Sequence, residues 1–275
     1  MMWGCDDVVF FIKKTVIMIQ DMTNVRLPQR EKPAYFFDRK TVDQAIRQMD
    51  LQQVRVLDIG CGVPWTAYEL ERIYQLRSFT CLDKLKTQSH ALEAYSFFHG
   101  PGINQFKSFS DLHYSMNHQY IKASQSSYHS IKSFRFLYDI QMGYDIRQRD
   151  LSQLGQYDII VVQDVLHLLP YSEAIPIVAQ LCNLLLPEGI IYLQLPYIYH
   201  EQLSDPQRSY RIGKHCYEHI YISETACLYD EYRFAELIEV LHRHGIEMLV
   251  GPEMYANDGG EGIGWIGAVG RKRHK

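Results

Sequence analysis

Two aspartates and two glycines have the spacing of a small-ligand site. Asp58 ends a short apolar run, Gly60 and Gly62 follow it, and Asp83 comes 25 residues after Asp58. Glycines lack a Cβ atom and let the backbone approach a ligand closely. A carboxylate beside them repels a pyrophosphate but attracts a cationic group, such as the ammonium of an amino acid. Asp83 would accept hydrogen bonds from two ribose hydroxyls, although an incidental surface acid is the alternative.

The sequence around these residues predicts a strand, a turn and a helix. Residues 54–57 read as a short buried strand, and a helix is expected to start near Pro64 or Thr66 and continue to Tyr74. The N-terminus of such a helix offers free N–H groups to a ligand. A dinucleotide needs G-x-G-x-x-G, and Trp65 stands at the last glycine position. A nicotinamide-dependent oxidoreductase is therefore disfavoured.

The segment Leu57-Asp-Ile-Gly-Cys-Gly62 resembles the first motif of class I S-adenosylmethionine (SAM)-dependent methyltransferases, an acid-x-G-x-G turn. That family often carries a third glycine where this chain has Pro64, a residue that suits the start of a helix. The resemblance implies SAM as the cofactor, with Asp58 and the glycine backbone at its methionyl end. Cys61 would shape the turn as a small buried side chain rather than act as a nucleophile. Glycines kept for structural reasons alone are the alternative.

A second motif lies between Tyr157 and Pro170. Residues 159–162 form a continuous β-branched run, typical of a central parallel strand. The stretch Leu166-His-Leu-Leu-Pro170 resembles the Leu-His-His-Leu-Pro-like segment of small-molecule methyltransferases, with one histidine instead of two. The same region has no Asn-Pro-Pro-Tyr or Asp-Pro-Pro-Tyr tetrapeptide. Its absence disfavours amino-methylating enzymes that act on bases or glutamine side chains.

The resemblance also implies how the rest of the cofactor is held. Asp150 would accept a hydrogen bond from the adenine amino group and Leu151 would pack on the ring, although helix capping is an alternative role for Asp150. Asp58, Asp83, Asp150 and Asp164 are all expected at strand ends along one rim of the sheet. The predicted cofactor-binding residues are Asp58, Gly60, Cys61, Gly62, Asp83, Lys84, Asp150, Leu151 and Asp164.

Two side chains are candidates for the chemistry of the acceptor. Methyl transfer from a sulfonium is an in-line displacement, so the enzyme mainly has to align the acceptor, the methyl group and the sulfur. His167 would act as a base if the acceptor must lose a proton, because it follows the fourth strand. A histidine hydrogen-bonded at a helix start is the alternative. Tyr197 leaves the fifth strand toward the same rim, with Tyr199 and His200 beside it, and plain packing is the alternative for all three.

Apolar periodicity predicts strands that alternate with helices along most of the chain. The expected strands are residues 54–57, 79–83, 144–151, 159–162, 190–195, 246–250 and 264–269. The expected helices are residues 35–49, 66–74, 175–185 and 229–244, the last capped by Gly245. This pattern predicts an α/β, Rossmann-like class I methyltransferase fold, with a mainly parallel seven-stranded sheet and helices on both faces. An antiparallel C-terminal hairpin and helical insertions complete the prediction.

The chain is expected to divide into an N-terminal cap or helical element, residues 1–50, and a methyltransferase domain, residues 51–275. Segments 85–143 and 197–226 are too long for simple crossovers and are predicted to be insertions within that domain. Residues 8–19 are the most apolar N-terminal run, but they are too short to cross a bilayer. We expect them to form a packed helix or strand, with a membrane-surface anchor as the alternative, and the basic residues 271–275 to be solvated.

Composition narrows the choice of partner and compartment. The 275 residues carry a net charge of −4 and are 47% hydrophobic, which suits a buried core but not a binder of nucleic-acid backbones. The six cysteines form no C-x-x-C pair, so reduced thiols in a cytoplasmic protein are expected rather than disulfides or a metal site. The favoured function is methyl transfer from SAM to a small molecule. An RNA or protein methyltransferase and an inactive SAM- or nucleotide-binding protein are the alternatives.

Overall fold

The computed structural model of this chain describes residues 39–62, 64–86, 138–197, 209–213, 216–221, 224–256 and 263–274. The strands are β1 (Arg55–Ile59), β2 (Ser78–Asp83), β3 (Tyr138–Met142), β4 (Tyr157–Gln163), β5 (Leu185–Pro196), β6 (Ser209–Gly213), β7 (Cys216–Tyr221), β8 (Glu224–Leu228), β9 (Ile246–Ala256) and β10 (Ile263–Lys272). The α-helices are α1 (Lys40–Arg47), α2 (Trp65–Tyr74), α3 (Tyr171–Leu184) and α4 (Glu231–Arg243).

In the described part of the chain, seven strands form one sheet in the order β3-β2-β1-β4-β5-β10-β9. Strands β1 to β5 pair in parallel, and β10 runs antiparallel to both β5 and β9. The predicted seven-stranded, mainly parallel sheet with an antiparallel C-terminal hairpin is confirmed. The parallel order places the carboxyl ends of β1, β2, β4 and β5 side by side at one edge.

One face of this sheet is apolar at that edge. Partners in a parallel ladder share a face, and Ile59 pairs with Leu82 on one side and with Val162 on the other. These side chains and Leu193 are fully buried in one cluster with residues of α3 and α4, among them Phe234. The burial of branched aliphatic side chains between sheet and helices is the main stabilising contribution here.

The opposite face carries polar residues at the same level. Asp58 pairs with Cys81 on β2, and Gln163 pairs with Gln194 on β5. Asp83 lies two residues beyond Cys81 and therefore on the same face. We call Asp58, Asp83, Gln163 and Gln194 the polar stripe. It crosses the carboxyl ends of four neighbouring strands.

The polar stripe lies beneath the first turn of α2. The Thr66 hydroxyl donates to Gln163 Oε1 at 2.6 Å, and the backbone N–H of Ala67 is hydrogen-bonded to Asp58. Both residues belong to the N-terminal turn of α2, whose N–H groups have no partner within the helix. The Asp58 carboxylate therefore supplies the partner for one of these N–H groups, and the Thr66 hydroxyl links the same turn to β4.

The third strand differs from the sequence prediction. It spans Tyr138–Met142, whereas residues 144–151 were expected to form it. Gly143, with φ +73°, ends the strand, and the Asp145 carboxylate then accepts the Arg147 N–H in a tight turn. The alternation of apolar and polar residues after Tyr144 resembles a strand, but this local side-chain hydrogen bond favours a turn. Asp150 therefore does not stand at a strand end.

The second predicted insertion contains strands. The sequence predicted helical insertions, but β6, β7 and β8 form a separate antiparallel sheet between β5 and α4. A backbone bridge between Tyr197 and Tyr229 joins the two ends of this segment, and β8 contacts the turn that contains His167. The inserted sheet is thus connected to the main sheet at the edge where the carboxyl ends of β4 and β5 lie. Most of the first predicted insertion, the N-terminal run at 8–19 and the remainder of residues 1–38 lie outside the described residues.

The sequence predicted that the basic C-terminal segment is solvated, but two of its residues make specific contacts. Arg271 and Lys272 belong to β10, and Arg271 forms an ion pair with Glu188. Lys272 Nζ donates to the carbonyl oxygens of Cys182 and Leu185 at 2.8 and 2.6 Å, where α3 ends. A cation at the C-terminal end of a helix is favourable because the last carbonyl oxygens carry partial negative charge. The prediction for these two residues was therefore wrong.

Candidate functional site

The glycine bend after β1 has the geometry that its sequence predicted. Gly60 and Gly62 have φ +65° and +51°, in the left-handed region that glycine adopts without strain. The N–H groups of Gly60 and Cys61 donate to the Leu82 carbonyl oxygen at 2.7 and 3.0 Å. A Cβ atom on Gly60 would lie 2.0 Å from Cγ2 of Val165, which follows β4. The bend therefore requires glycine at position 60 both for its conformation and for space.

Asp58 is buried beneath this bend, with 4% of its surface exposed. Burial, and next the nearby charge of Asp83, raise its pKa from 3.8 to about 7, while the Ala67 N–H acts in the opposite direction. Two carboxylates at close range, one of them deeply buried, favour a cation between or beside them. An ammonium group is the kind of ligand that this arrangement attracts.

Asp83 fixes the far side of the bend. Its Oδ2 accepts the Gly62 N–H at 2.7 Å, and its Oδ1 accepts the Leu85 N–H at 2.7 Å. Each carboxylate oxygen accepts more than one hydrogen bond, so these contacts orient the group without excluding a diol ligand. Lys84 is exposed beside it; the hydrogen bond from the Arg147 side chain lowers the pKa of Asp145, and the charge of Lys84 acts in the same direction. The predicted pair of Asp58 and Asp83 is thus brought together around the two glycines.

Cys61 lies buried in the bend between these acids. Its thiol hydrogen-bonds to Cys81, and that contact together with burial raises the pKa of Cys61 well above its ordinary value. A thiol that stays protonated is a poor nucleophile. The arrangement supports the predicted role of a small buried residue that shapes the turn.

The two residues assigned to the adenine lie in other surroundings. Asp150 caps a short 3₁₀ turn, Leu151–Leu154, by accepting the Ser152 N–H at 3.0 Å, and hydrogen bonds from the Ser152 side chain and N–H lower its pKa. Leu151 is fully buried in the apolar core cluster. The structure therefore shows the capping role that the sequence left open for Asp150, and the adenine role of both residues stays a prediction.

The segment directly after β3 is closer to the glycine bend. Because Asp83 pairs with Met142, the chain that leaves β3 passes beside Asp83, and the Tyr144 N–H donates to the Asp83 carbonyl oxygen at 2.8 Å. Asp145 and the buried Ile146 follow at once. Sequence reasoning missed them because it placed the third strand too late in the chain.

Asp164 and His167 follow β4 as predicted. Asp164 has φ +55° and is the first residue after the strand. His167 lies in a single 3₁₀ turn, Leu166–Leu168, with 6% of its surface exposed. It therefore lies just after the fourth strand, whereas its role as a base stays a prediction.

Tyr197 is the second predicted catalytic residue, and it is buried at the end of β5. Its hydroxyl donates to Glu231 in the first turn of α4 at 2.6 Å. This contact ties the start of the inserted sheet segment to α4 and favours the packing alternative. Tyr199 and His200 lie outside the described residues.

The polar stripe contains two residues that sequence reasoning did not select. Gln163 and Gln194 each follow a run of apolar residues in their strands, and they are direct partners across β4 and β5. The available signal was a long amide side chain near the carboxyl end of each apolar strand. Their pairing depends on sheet register, which neither strand reveals alone.

The topology and the placement of the glycine bend define the fold of class I SAM-dependent methyltransferases. Two solved SAM-dependent methyltransferases have this fold at a TM-score of 0.50. The protein from Methanosarcina mazei is 14% identical, and the match covers 83% of this chain and 96% of that one. The protein from Mesorhizobium loti is 12% identical, with 84% and 97% covered.

A third neighbour spans all of this chain. It is 1,6-didemethyltoxoflavin-N1-methyltransferase from Burkholderia thailandensis, solved with 1,6-didemethyltoxoflavin and S-adenosylhomocysteine, at 14% identity, 92% coverage of that chain and a TM-score of 0.45. No protein-family model and no curated protein matches the sequence. Among the helices of the described part, none has the length and apolar character needed to cross a membrane.

Proposed function

We propose that this protein transfers a methyl group from SAM to a small-molecule acceptor. The proposal rests on the fold and on the chemistry of the glycine bend, which fits the separate parts of SAM. The two buried acids suit an amino-acid ammonium and a ribose diol. The two glycines let the protein backbone lie close to the methionyl chain. The observation that carries the proposal is the proximity of the Asp58 and Asp83 carboxylates at the bend formed by Gly60 and Gly62.

The residue roles follow the shape of that ligand. Asp58 binds the methionyl ammonium, and the backbone from Gly60 to Gly62 lies against the methionyl chain. Asp83 accepts hydrogen bonds from the ribose hydroxyls. The adenine end is assigned to the segment after β3, where Asp145 offers an acceptor and Ile146 an apolar wall. Asp150 and Leu151 remain the pair that the sequence predicted for the same role.

The acceptor is proposed to be a small molecule for two reasons. The net charge of −4 does not favour a polyanionic substrate such as RNA. The four residues from Gln163 to Leu166 at the end of β4 also lack the tetrapeptide typical of enzymes that methylate bases or glutamine side chains. The inserted sheet of β6, β7 and β8, which contacts the His167 turn, would supply the acceptor side of the pocket.

Isothermal titration calorimetry with SAM, S-adenosylhomocysteine (SAH) and NAD⁺ tests this proposal. We expect the first two to bind in the micromolar range or tighter and NAD⁺ to bind at least about 100-fold more weakly, because its pyrophosphate meets two carboxylates. The matched control is Asp158→Asn, a carboxylate at the amino end of β4 that accepts the Arg55 N–H. That variant should bind all three ligands as the parent does. Absence of SAH binding by the folded parent protein would overturn the proposal.

A further inference from the structure

Asp164 adopts a backbone conformation that side chains rarely take. Its φ of +55° lies in the left-handed region, which costs most residues other than glycine about 1 kcal/mol or more and which aspartate adopts more often than most of them. It is one of three such non-glycine residues in the described chain, with Gln75 and Glu188. Gln75 ends a helix and Glu188 lies at an irregularity in the pairing of β5 with β4, whereas Asp164 stands at the edge of the candidate site. The conformation at position 164 must therefore be held by its surroundings.

A buried polar network holds it. The Asp164 N–H donates to the Gln194 carbonyl oxygen at 2.9 Å, and Gln194 Nε2 donates to both carboxylate oxygens of Asp164 at 3.2 Å. The hydroxyl of Tyr192, a residue with no exposed surface, donates to Gln194 Oε1. Gln194 is 3% exposed, so its amide would be costly to bury without these partners.

The network determines which way the Gln194 amide points. The Tyr192 hydroxyl donates its proton to the amide oxygen, so the amide NH₂ group faces Asp164. A flipped amide would place its oxygen against the carboxylate, which repels it. Tyr192 thus fixes Gln194, and Gln194 fixes the Asp164 carboxylate from both its backbone and its side chain.

The carboxylate fixed in this way belongs to the first residue after β4, at the edge of the candidate site. The next residue, Val165, packs directly against Gly60 of the bend, and the His167 turn follows. Glycine would adopt this conformation more easily, so an aspartate at position 164 is retained for its carboxylate. Strain retained at a candidate site indicates a role in its chemistry.

We propose that Asp164 is a catalytic residue that accepts a hydrogen bond from the attacking atom of the acceptor, and that Gln194 and Tyr192 are its positioning residues. This inference rests on the proposed function. It defines the acceptor class: the attacking atom carries a proton, as an amine or a hydroxyl does, which excludes thioethers and tertiary amines. As the acceptor lone pair forms its bond to the methyl carbon, the carbon–sulfur pair stays on sulfur and the acceptor proton passes to Asp164.

A ligand that needs no known acceptor tests the inference. Sinefungin is a SAM analogue with an amine in place of the methyl-bearing sulfonium, so its N–H groups report on what faces the transferred methyl. SAH lacks that group. We expect the parent protein to bind sinefungin more tightly than SAH, and Asp164→Asn to reduce the ratio of the two affinities by about 10-fold or more. Its SAH affinity should change less than about twofold.

Two further variants separate positioning from folding. Tyr192→Phe combined with Gln194→Leu removes the hydroxyl and the amide together, so neither group is left buried without the other. It should lower the sinefungin-to-SAH affinity ratio nearly as much as Asp164→Asn. Asp164→Gly relieves the left-handed conformation but removes the carboxylate that accepts from the Gln194 amide, and it should also lower the ratio. Asp158→Asn is the matched control and should leave the ratio unchanged.

The outcomes are distinct. If SAH binds and the ratio stays at the parent value in Asp164→Asn, the inference is wrong while the proposed function stands. If Asp164→Asn lowers the ratio and the double variant does not, the positioning role of Tyr192 and Gln194 is overturned. Failure of the parent protein to bind SAH at all contradicts the proposed function instead.

Discussion

The two faces of the main sheet differ most at the carboxyl ends of β1, β2, β4 and β5. On one face Ile59, Leu82, Val162 and Leu193 are buried against α3 and α4. On the other, at the same level, lies the polar stripe beneath the first turn of α2. The same strands supply both, because successive side chains point to opposite faces.

Because of this difference, neighbouring residues of the same strands serve stability on one face and ligand binding on the other. The apolar face stabilises the fold through burial, whereas the polar stripe holds a buried acid with a raised pKa and is followed directly by Asp164 with its left-handed backbone. Buried carboxylates destabilise an empty protein and are retained where a ligand compensates their charge. Substitutions on the two faces should therefore have opposite signatures.

The largest expected effect is on the polar face, in Asp58→Asn. The folded pKa of about 7 lies above the ordinary value of 3.8, so ionisation of Asp58 costs folding stability as pH rises between these values. The asparagine variant should match the parent near pH 4 and exceed it above pH 7, by up to on the order of 4 kcal/mol. Urea unfolding of the ligand-free protein at pH 4.5 and 8 measures this, and calorimetry should show weaker SAM binding.

The pH dependence is what identifies the cause. An equal gain in stability at both pH values would mean that asparagine simply packs better, and the raised pKa would play no part. Asp158→Asn serves as the control, because that carboxylate lies at the other end of β4 and is not fully buried. Its variant should show no gain at pH 8.

On the apolar face, Leu193→Ala should lower the free energy of unfolding by about 2–5 kcal/mol, because it leaves a cavity in a fully buried cluster. SAM affinity should change less than about twofold, since the side chain points away from the polar stripe. Chemical unfolding and calorimetry on the same preparation measure both. Leu193→Met is the matched control and should cost less than about 1.5 kcal/mol. A selective loss of SAM affinity in Leu193→Ala would remove the distinction between the faces.

Much of the apolar face could be predicted from the sequence. The β-branched run of β4 and the amphipathic pattern of α4 are local signals, and Gly245, with φ +76°, ends that helix as expected. The third strand was misplaced because Asp145 and Arg147 form a local turn in a segment whose apolar alternation resembles a strand. A prediction from apolar periodicity takes no account of a single side-chain hydrogen bond.

The polar face was predictable in part. Asp58, Gly60 and Asp83 were identifiable since acid and glycine spacing is a local motif and the fold brings strand ends together. Gln194 was not, because its meaning depends on its pairing with Gln163 and on its contact with Asp164. Such contacts arise from strand order, and a residue 30 positions away in the chain gives no local trace of them.

Asp83→Ala tests the ribose side of the polar stripe. It removes the acceptor for the Gly62 and Leu85 N–H groups as well as the predicted diol contact, so SAM affinity should fall about 10- to 100-fold. The circular dichroism spectrum should stay that of the parent. Asp83→Asn, which keeps one carbonyl acceptor, should lose less. Unchanged SAM affinity in Asp83→Ala would remove this residue from the site.

The smallest expected effect lies away from the polar stripe, at the far end of α3. Lys272→Met keeps the apolar stem but removes the ammonium that binds the Cys182 and Leu185 carbonyl oxygens, so it should cost about 1 kcal/mol of stability. Arg273→Met is the control, because its ion pair with Glu247 is exposed and should contribute less than about 0.5 kcal/mol. Neither change should alter SAM affinity. Equal, negligible effects of both on chemical unfolding would mean that the basic end of the chain is solvated, as its sequence suggested, and that helix α3 ends without its help.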